Sequence, residues 1–118
     1  MTASPARLLL MTYDGGTRFI RLAGRAMDEK NLEEQHVNIT KAQRIVLELI
    51  NTLDHSTDPK LADSLNRLYR YIHDRLTYAN VYDDKAALTE AEKLMAQLRE
   101  SWAQAEESFA PQYVMVGA

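Results

Sequence analysis

The sequence predicts an all-α protein, an antiparallel up-down four-helix bundle, and three observations carry that prediction. Four segments of helical period follow one another along a chain of 118 residues. The first three of them open on capping signals, Ser4-Pro5, Asn31 and Asp58-Pro59. Four glycines and three prolines leave room only for short connections, and short connections between helices make antiparallel neighbours.

The first helix starts where Ser4 supplies a side-chain cap and Pro5 a preset first turn, and periodicity carries it to about Lys30. Its main stripe is Leu8, Met11, Phe19, Leu22, Ala23 and Ala26. A second line, Leu9, Tyr13, Gly16, Ile20 and Met27, lies about 100° round the axis, so this helix has partners on two sides. Gly15-Gly16 in mid-helix costs about 1 kcal/mol per residue against alanine, which predicts close approach of a neighbour's backbone rather than a kink. Asn31 followed by Glu34 reads as a capping-box-like start for the second helix, whose buried face is Leu32, Ile39, Ala42, Ile45, Val46, Leu49, Ile50 and Leu53. Val37 and Leu47 fall outside that face.

After the polar connection Asp54 to Asp58 comes the third helix, Asp58 to Asn80, with Leu61, Leu65, Leu68, Ile72, Leu76 and Ala79 within about 80° of arc. Asp63, Arg67, Arg70, His73, Asp74 and Thr77 form its solvated face. Tyr71, Tyr78 and Tyr82, with Arg75 between them, lie on a separate line displaced by about 80°. Two readings of that line stay open: rings that widen the core, or a surface groove for another polypeptide. A turn at Asn80 to Asp84 leads to a fourth helix from about Lys85 to Glu107, burying Leu88, Ala91, Leu94, Met95, Leu98, Trp102 and Ala105. Pro111 is expected to break the pattern, so residues 1–108 form one helical domain and residues 109–118 an apolar tail, either frayed or docked on an apolar groove.

Composition narrows the chemistry. A formal charge of −3 with no basic cluster argues against nucleic-acid binding. The absence of cysteine excludes thiol catalysis, Cys-type zinc sites and disulfides, and agrees with a reducing compartment. The leading apolar run, Leu8 to Met11, is too short for a signal sequence or a membrane span, which places the chain in the cytoplasm without membrane insertion. A bundle di-metal site needs two Glu-x-x-His pairs, and Glu33-His36 supplies one, so neither metal nor other cofactor is expected. His73 on the solvated face is the residue for the alternative function, a histidine phosphotransfer bundle, although Asp74-Arg75-Leu76-Thr77 after it lacks the lysine and glycine usual there. An enzyme is not expected.

The stretches TASPARLLLMTYDGGTRFI, ITKAQRIVLELINTLD, YRYIHDRLTYANVYDD and LRESWAQA resemble, in order and spacing, the FliS family of flagellar secretion chaperones, over residues 2–107. The resemblance implies an export chaperone that binds the C-terminal segment of flagellin, wraps it over the bundle, prevents premature polymerisation and delivers it to the flagellar type III export apparatus. Co-chaperones are implied as further partners. Amphipathic client helices are read through i, i+3, i+4 and i+7 anchors, and the residues offering a groove for them are Leu9, Tyr13, Ile20, Tyr71, Arg75, Tyr78, Ala79, Asn80 and Tyr82. Relatives commonly carry an amino-terminal arm before the SP motif, which this sequence meets at Ser4-Pro5; the tail after Pro111 is the candidate to lie over the binding surface in its place. A second departure is Gly16, where alanine is common.

Overall fold

The computed structural model describes the backbone of residues 4–117 and the side chains of residues 4–105. Four helices make up the fold: α1 (Pro5–Asp28), α2 (Leu32–Asn51), α3 (Pro59–Tyr82) and α4 (Lys85–Gly117). Each begins where a side-chain oxygen meets an orphan amide. Ser4 Oγ accepts from the Arg7 N–H at 3.2 Å, Asn31 Oδ1 from Glu34 at 3.2 Å, and Asp58 Oδ1 from Leu61 at 3.1 Å. Asp84, the last residue of the turn, caps α4 by accepting from the Ala87 N–H at 2.9 Å. α3 stops at Asp83, whose left-handed backbone (φ 53°) is one that Asp tolerates better than most side chains.

α1 packs against α2 and α4, and α3 against the same two, so the helices form a ring with α1 and α3 on a diagonal. The cross-helix contacts give the directions. Along α1, Asp14 meets Arg99, Arg21 meets Glu92 and Asp28 meets Lys85, so α4 runs opposite to α1. Gly16 faces Ile45 and Phe19 lies under Lys41, which turns α2 against α1. Gln35 bonds Asp83 and Gln43 bonds Thr77, which turns α3 against α2. The bundle is antiparallel throughout.

Four expectations need correction: the α1 stripe, the end of α4, the neighbour at Gly16, and Leu32, placed on the buried face of α2 but 62% exposed in its first turn. The face of α1 that enters the core runs through Leu10, Tyr13, Gly16, Ile20 and Ala23, while Leu8 and Met11, assigned to the main stripe, are 49% and 57% exposed. The reason is the rotation of α1: wedged between α2 and α4, it is held with Tyr13 inward by hydrogen bonds from the facing helices. The second correction concerns α4, which continues as a helix to Gly117 instead of ending near Glu107. Pro111 removes one donor from the helical ladder but does not end the path. The packing of the tail, residues 109–118, lies outside the described side chains.

At Gly16 the close approach is made by side chains rather than by backbone. A Cβ there would lie 2.7 Å from Met95 Cε and 3.3 Å from Ile45 Cγ2, so this glycine makes room for two neighbouring helices at once.

Candidate functional site

Once Tyr69, Ile72, Leu76 and Ala79 have filled the core side of α3, an aromatic ridge remains on its outside. Tyr71, Tyr78 and Tyr82 are 44%, 42% and 66% exposed, and Val81 beside them is 65% exposed. Rings this exposed do not widen the core, and of the two readings of the line only the surface one is left.

The ridge is organised by one carboxylate from α4. Tyr71 donates its hydroxyl to Glu90 Oε2 at 2.7 Å, and that bond raises the Tyr71 pKa because the neutral phenol is the form that donates. Arg75 Nε lies 2.7 Å from Glu90 Oε1 as a charge contact rather than an aligned hydrogen bond. The Arg75 guanidinium sits 4.8 Å from the centre of the Tyr78 ring, and the Tyr78 and Tyr82 rings are 4.6 Å apart. Each contact is modest, but together they restrict the rotamers of a surface that would otherwise lose that freedom on binding.

At the other end of α3 lies an open apolar pocket of about 270 Å³, walled by Leu9, Leu53, Leu61 and Leu65, with Tyr69 and Trp102 also lining it. On α3 the pocket is lined by Leu61, Ala62, Leu65 and Tyr69, on the leucine-stripe side, whereas the tyrosine line lies farther round the axis, so pocket and ridge occupy the two halves of α3 on adjoining sides. Under the pocket, Tyr13 and Tyr69 are hydrogen-bonded through their hydroxyls, and Trp102 Nε1 donates to Tyr13 Oη at 3.1 Å.

Of the residues expected in a groove, Tyr71, Arg75, Tyr78 and Tyr82 come together on this ridge. Leu9 is half-buried at the pocket. Asn80 faces α2 instead, where it lies 2.9 Å from His36 Nδ1 and 3.4 Å from the Gln35 amide nitrogen, closing the opposite end of the bundle. Tyr13, Ile20 and Ala79 are at most 1% exposed and belong to the core, because the line of α1 through Tyr13 and Ile20 turns into the bundle and Ala79 points between helices. Sequence reasoning missed Leu61 as surface, having placed it on the core stripe, where Leu65 does pack, and missed Glu90, for which no sequence signal exists. His73 is half-buried, with its carbonyl accepting from Gln43 Nε2 at 3.3 Å.

This fold and surface define a class: a four-helix bundle that leaves a line of aromatic side chains exposed along one helix. Comparison with known proteins identifies the member of that class. The family model for flagellar protein FliS matches residues 1–108. The chain is 38% identical over 107 residues to the flagellar secretion chaperone FliS of Bacillus subtilis, covering 91% of this chain and 79% of that protein. It is 33% identical to the flagellar secretion chaperone FliSB of Pseudomonas aeruginosa (85% of this chain, 79% of that one). It is 31% identical to the flagellar secretion chaperone FliS of Escherichia coli (86% and 76%). The chain belongs to the FliS family of flagellar secretion chaperones, which are not enzymes. No helix among the described residues is long and apolar enough to cross a membrane.

Proposed function

We propose that the client of this export chaperone is the C-terminal segment of flagellin, and that the α3 ridge from the Leu61 pocket to Tyr82 receives it. The protein holds that segment in the cytoplasm, prevents premature polymerisation and hands it to the flagellar type III export apparatus, where co-chaperones share its surface. The observation that supports this reading is the set of three exposed tyrosines fixed in place by Glu90 and Arg75. Leu61 and Tyr82 are separated by about 30 Å of helix, the length of a client helix of about 20 residues. A client whose apolar seam is later buried in coiled-coil-like packing presents a matching stripe before assembly.

Tyr71, Arg75, Tyr78 and Tyr82, together with Leu9 at the pocket, form the proposed contact set. Calorimetric titration of the protein with a flagellin C-terminal peptide tests it. Saturable binding that is weakened in the Tyr78→Ala variant is expected. Absence of binding, or binding indifferent to Tyr78→Ala and Tyr82→Ala together, contradicts the assignment.

A further inference from the structure

A second surface lies across α4 from the tyrosine ridge, where α1 and α4 border an open groove of about 570 Å³. Arg18, Arg21 and Arg25 line it from α1 and Arg99 from α4. No basic run marks this groove in the sequence. Helical period assembles it, since residues at i, i+3 and i+7 share one face of α1, and the antiparallel path of α4 adds the fourth guanidinium. The two carboxylates in the groove, Asp14 and Glu100, are engaged: Asp14 by Arg99 Nε at 2.8 Å, and Glu100 by the Gln104 amide at 3.2 Å. Arg21 reaches Glu92 at 3.5 Å, while Arg18 and Arg25 are exposed and form no ion pair among the described residues. Like charges three and four residues apart on one helix repel each other, and an anion seated among them removes that repulsion.

The geometry points to a docking groove for an acidic polypeptide segment of a second partner, separate from the ridge. Guanidinium forks match carboxylates in a bidentate manner, and Arg18 and Arg25 stand about 10 Å apart along α1, the distance between carboxylates two turns apart on a partner helix. The charge of the whole molecule selects the class of occupant. A nucleic acid or an anionic membrane presents charge well beyond the groove, where a protein of formal charge −3 repels it. A short acidic segment meets the arginines alone. The two surfaces use different sides of α4: Glu90 turns to Tyr71 and Arg75 on α3, whereas Glu92 and Arg99 turn to Arg21 and Asp14 on α1. Both are therefore filled at once without conflict, and the arginine groove stays available while the ridge is occupied. This inference does not depend on which polypeptide occupies the ridge.

The probe is a short labelled helical peptide with glutamate at i, i+3 and i+7, alongside its glutamine counterpart, each titrated into the full chain by fluorescence anisotropy. The glutamate peptide is expected to bind and to weaken as salt is raised, and the glutamine peptide not to bind. Arg18→Gln with Arg25→Gln should weaken the glutamate peptide by about tenfold, the sum of two exposed ion pairs. Arg44→Gln with Arg67→Gln makes the same change of charge at exposed sites away from the groove and should stay within about twofold. All four arginines are exposed, so both double variants should melt with the parent. Tyr78→Ala should leave the glutamate peptide unaffected. Equal losses in the two double variants mean that net charge alone drives binding and overturn the inference, as does failure of the glutamate peptide to bind. A loss in Tyr78→Ala overturns the separation of the two surfaces. Tighter binding of phosphatidylglycerol vesicles or duplex DNA than of the peptide, or self-association in sedimentation that disappears with Arg18 and Arg25, assigns the groove to a different occupant and also overturns it.

Discussion

α1 and α3 carry the same signal in sequence, an apolar stripe with a second line of large side chains beside it, and they use that second line in opposite ways. In α1 the line through Tyr13 and Ile20 is the core, at 0% and 1% exposure. In α3 the line through Tyr71, Tyr78 and Tyr82 stays outside. Both helices have the same two neighbours, so topology does not make the difference. The polar ends of the side chains do. Tyr13 finds its hydroxyl partners in Tyr69 and Trp102, inside the bundle, whereas Tyr71 finds Glu90, on the surface. A tyrosine goes where its hydroxyl is satisfied, because a buried O–H without a partner offsets much of what burying the ring gains.

That contrast is most easily broken at Tyr13. Replacing it with alanine removes a fully buried ring and the acceptor of Trp102, so urea denaturation should show a loss of about 3 to 5 kcal/mol. A loss below about 1 kcal/mol would mean that Tyr13 is not core and that the distinction between the two lines is wrong. At Tyr78 the outcome should reverse. Tyr78→Ala is expected to change folding stability by no more than about 0.5 kcal/mol, as for a surface site. Its affinity for the flagellin peptide should fall by about 1 to 3 kcal/mol, read by calorimetry. Smaller effects sharpen the picture of the scaffold. A Cβ on Gly24 meets Lys85 Cε at 3.4 Å and Leu88 Cδ2 at 3.5 Å, ordinary contacts. Gly24→Ala should therefore raise stability by about 1 kcal/mol in thermal unfolding, from helix propensity alone.

The smallest effect lies in the connection that positions the start of α3. The Ser56 hydroxyl at 2.5 Å, the Ser56 N–H at 2.9 Å and the Thr57 hydroxyl at 2.8 Å donate to the Asp54 carboxylate and lower its pKa to about 2. A carboxyl depressed in the folded state adds stability that is present above its unfolded value near 3.8 and disappears as pH falls through about 2. Asp54→Asn should therefore melt slightly below the parent at pH 6, with the gap closing as pH falls from about 4 to about 2. A gap that persists unchanged at low pH would show that the loop is held by something other than the charge.

The helices themselves were legible because caps and period are local: Ser4, Asn31 and Asp58 were readable as starts, and each caps through the amide expected of it. The tyrosine ridge was legible as a line, since 3.6-residue periodicity fixes which side chains share a face. Which of two lines turns inward was not legible. It depends on contacts such as Tyr13 with Tyr69, and Tyr71 with Glu90, between residues distant in sequence whose pairing only the packed bundle defines. Leu61 shows the same limit from the other side. Periodicity puts it on the core stripe, yet it is 48% exposed, because it lies in the first turn of α3, at the open mouth of the pocket.

The most direct test of the account is to label the tyrosine rings with carbon-13 and follow their resonances while the flagellin C-terminal peptide is titrated to saturation. The ring signals of Tyr71, Tyr78 and Tyr82 should shift together and with one affinity, while the ring carbons of Tyr13 stay near their starting positions. If the peptide saturates the protein and the three α3 rings do not move, the ridge is not where the client binds.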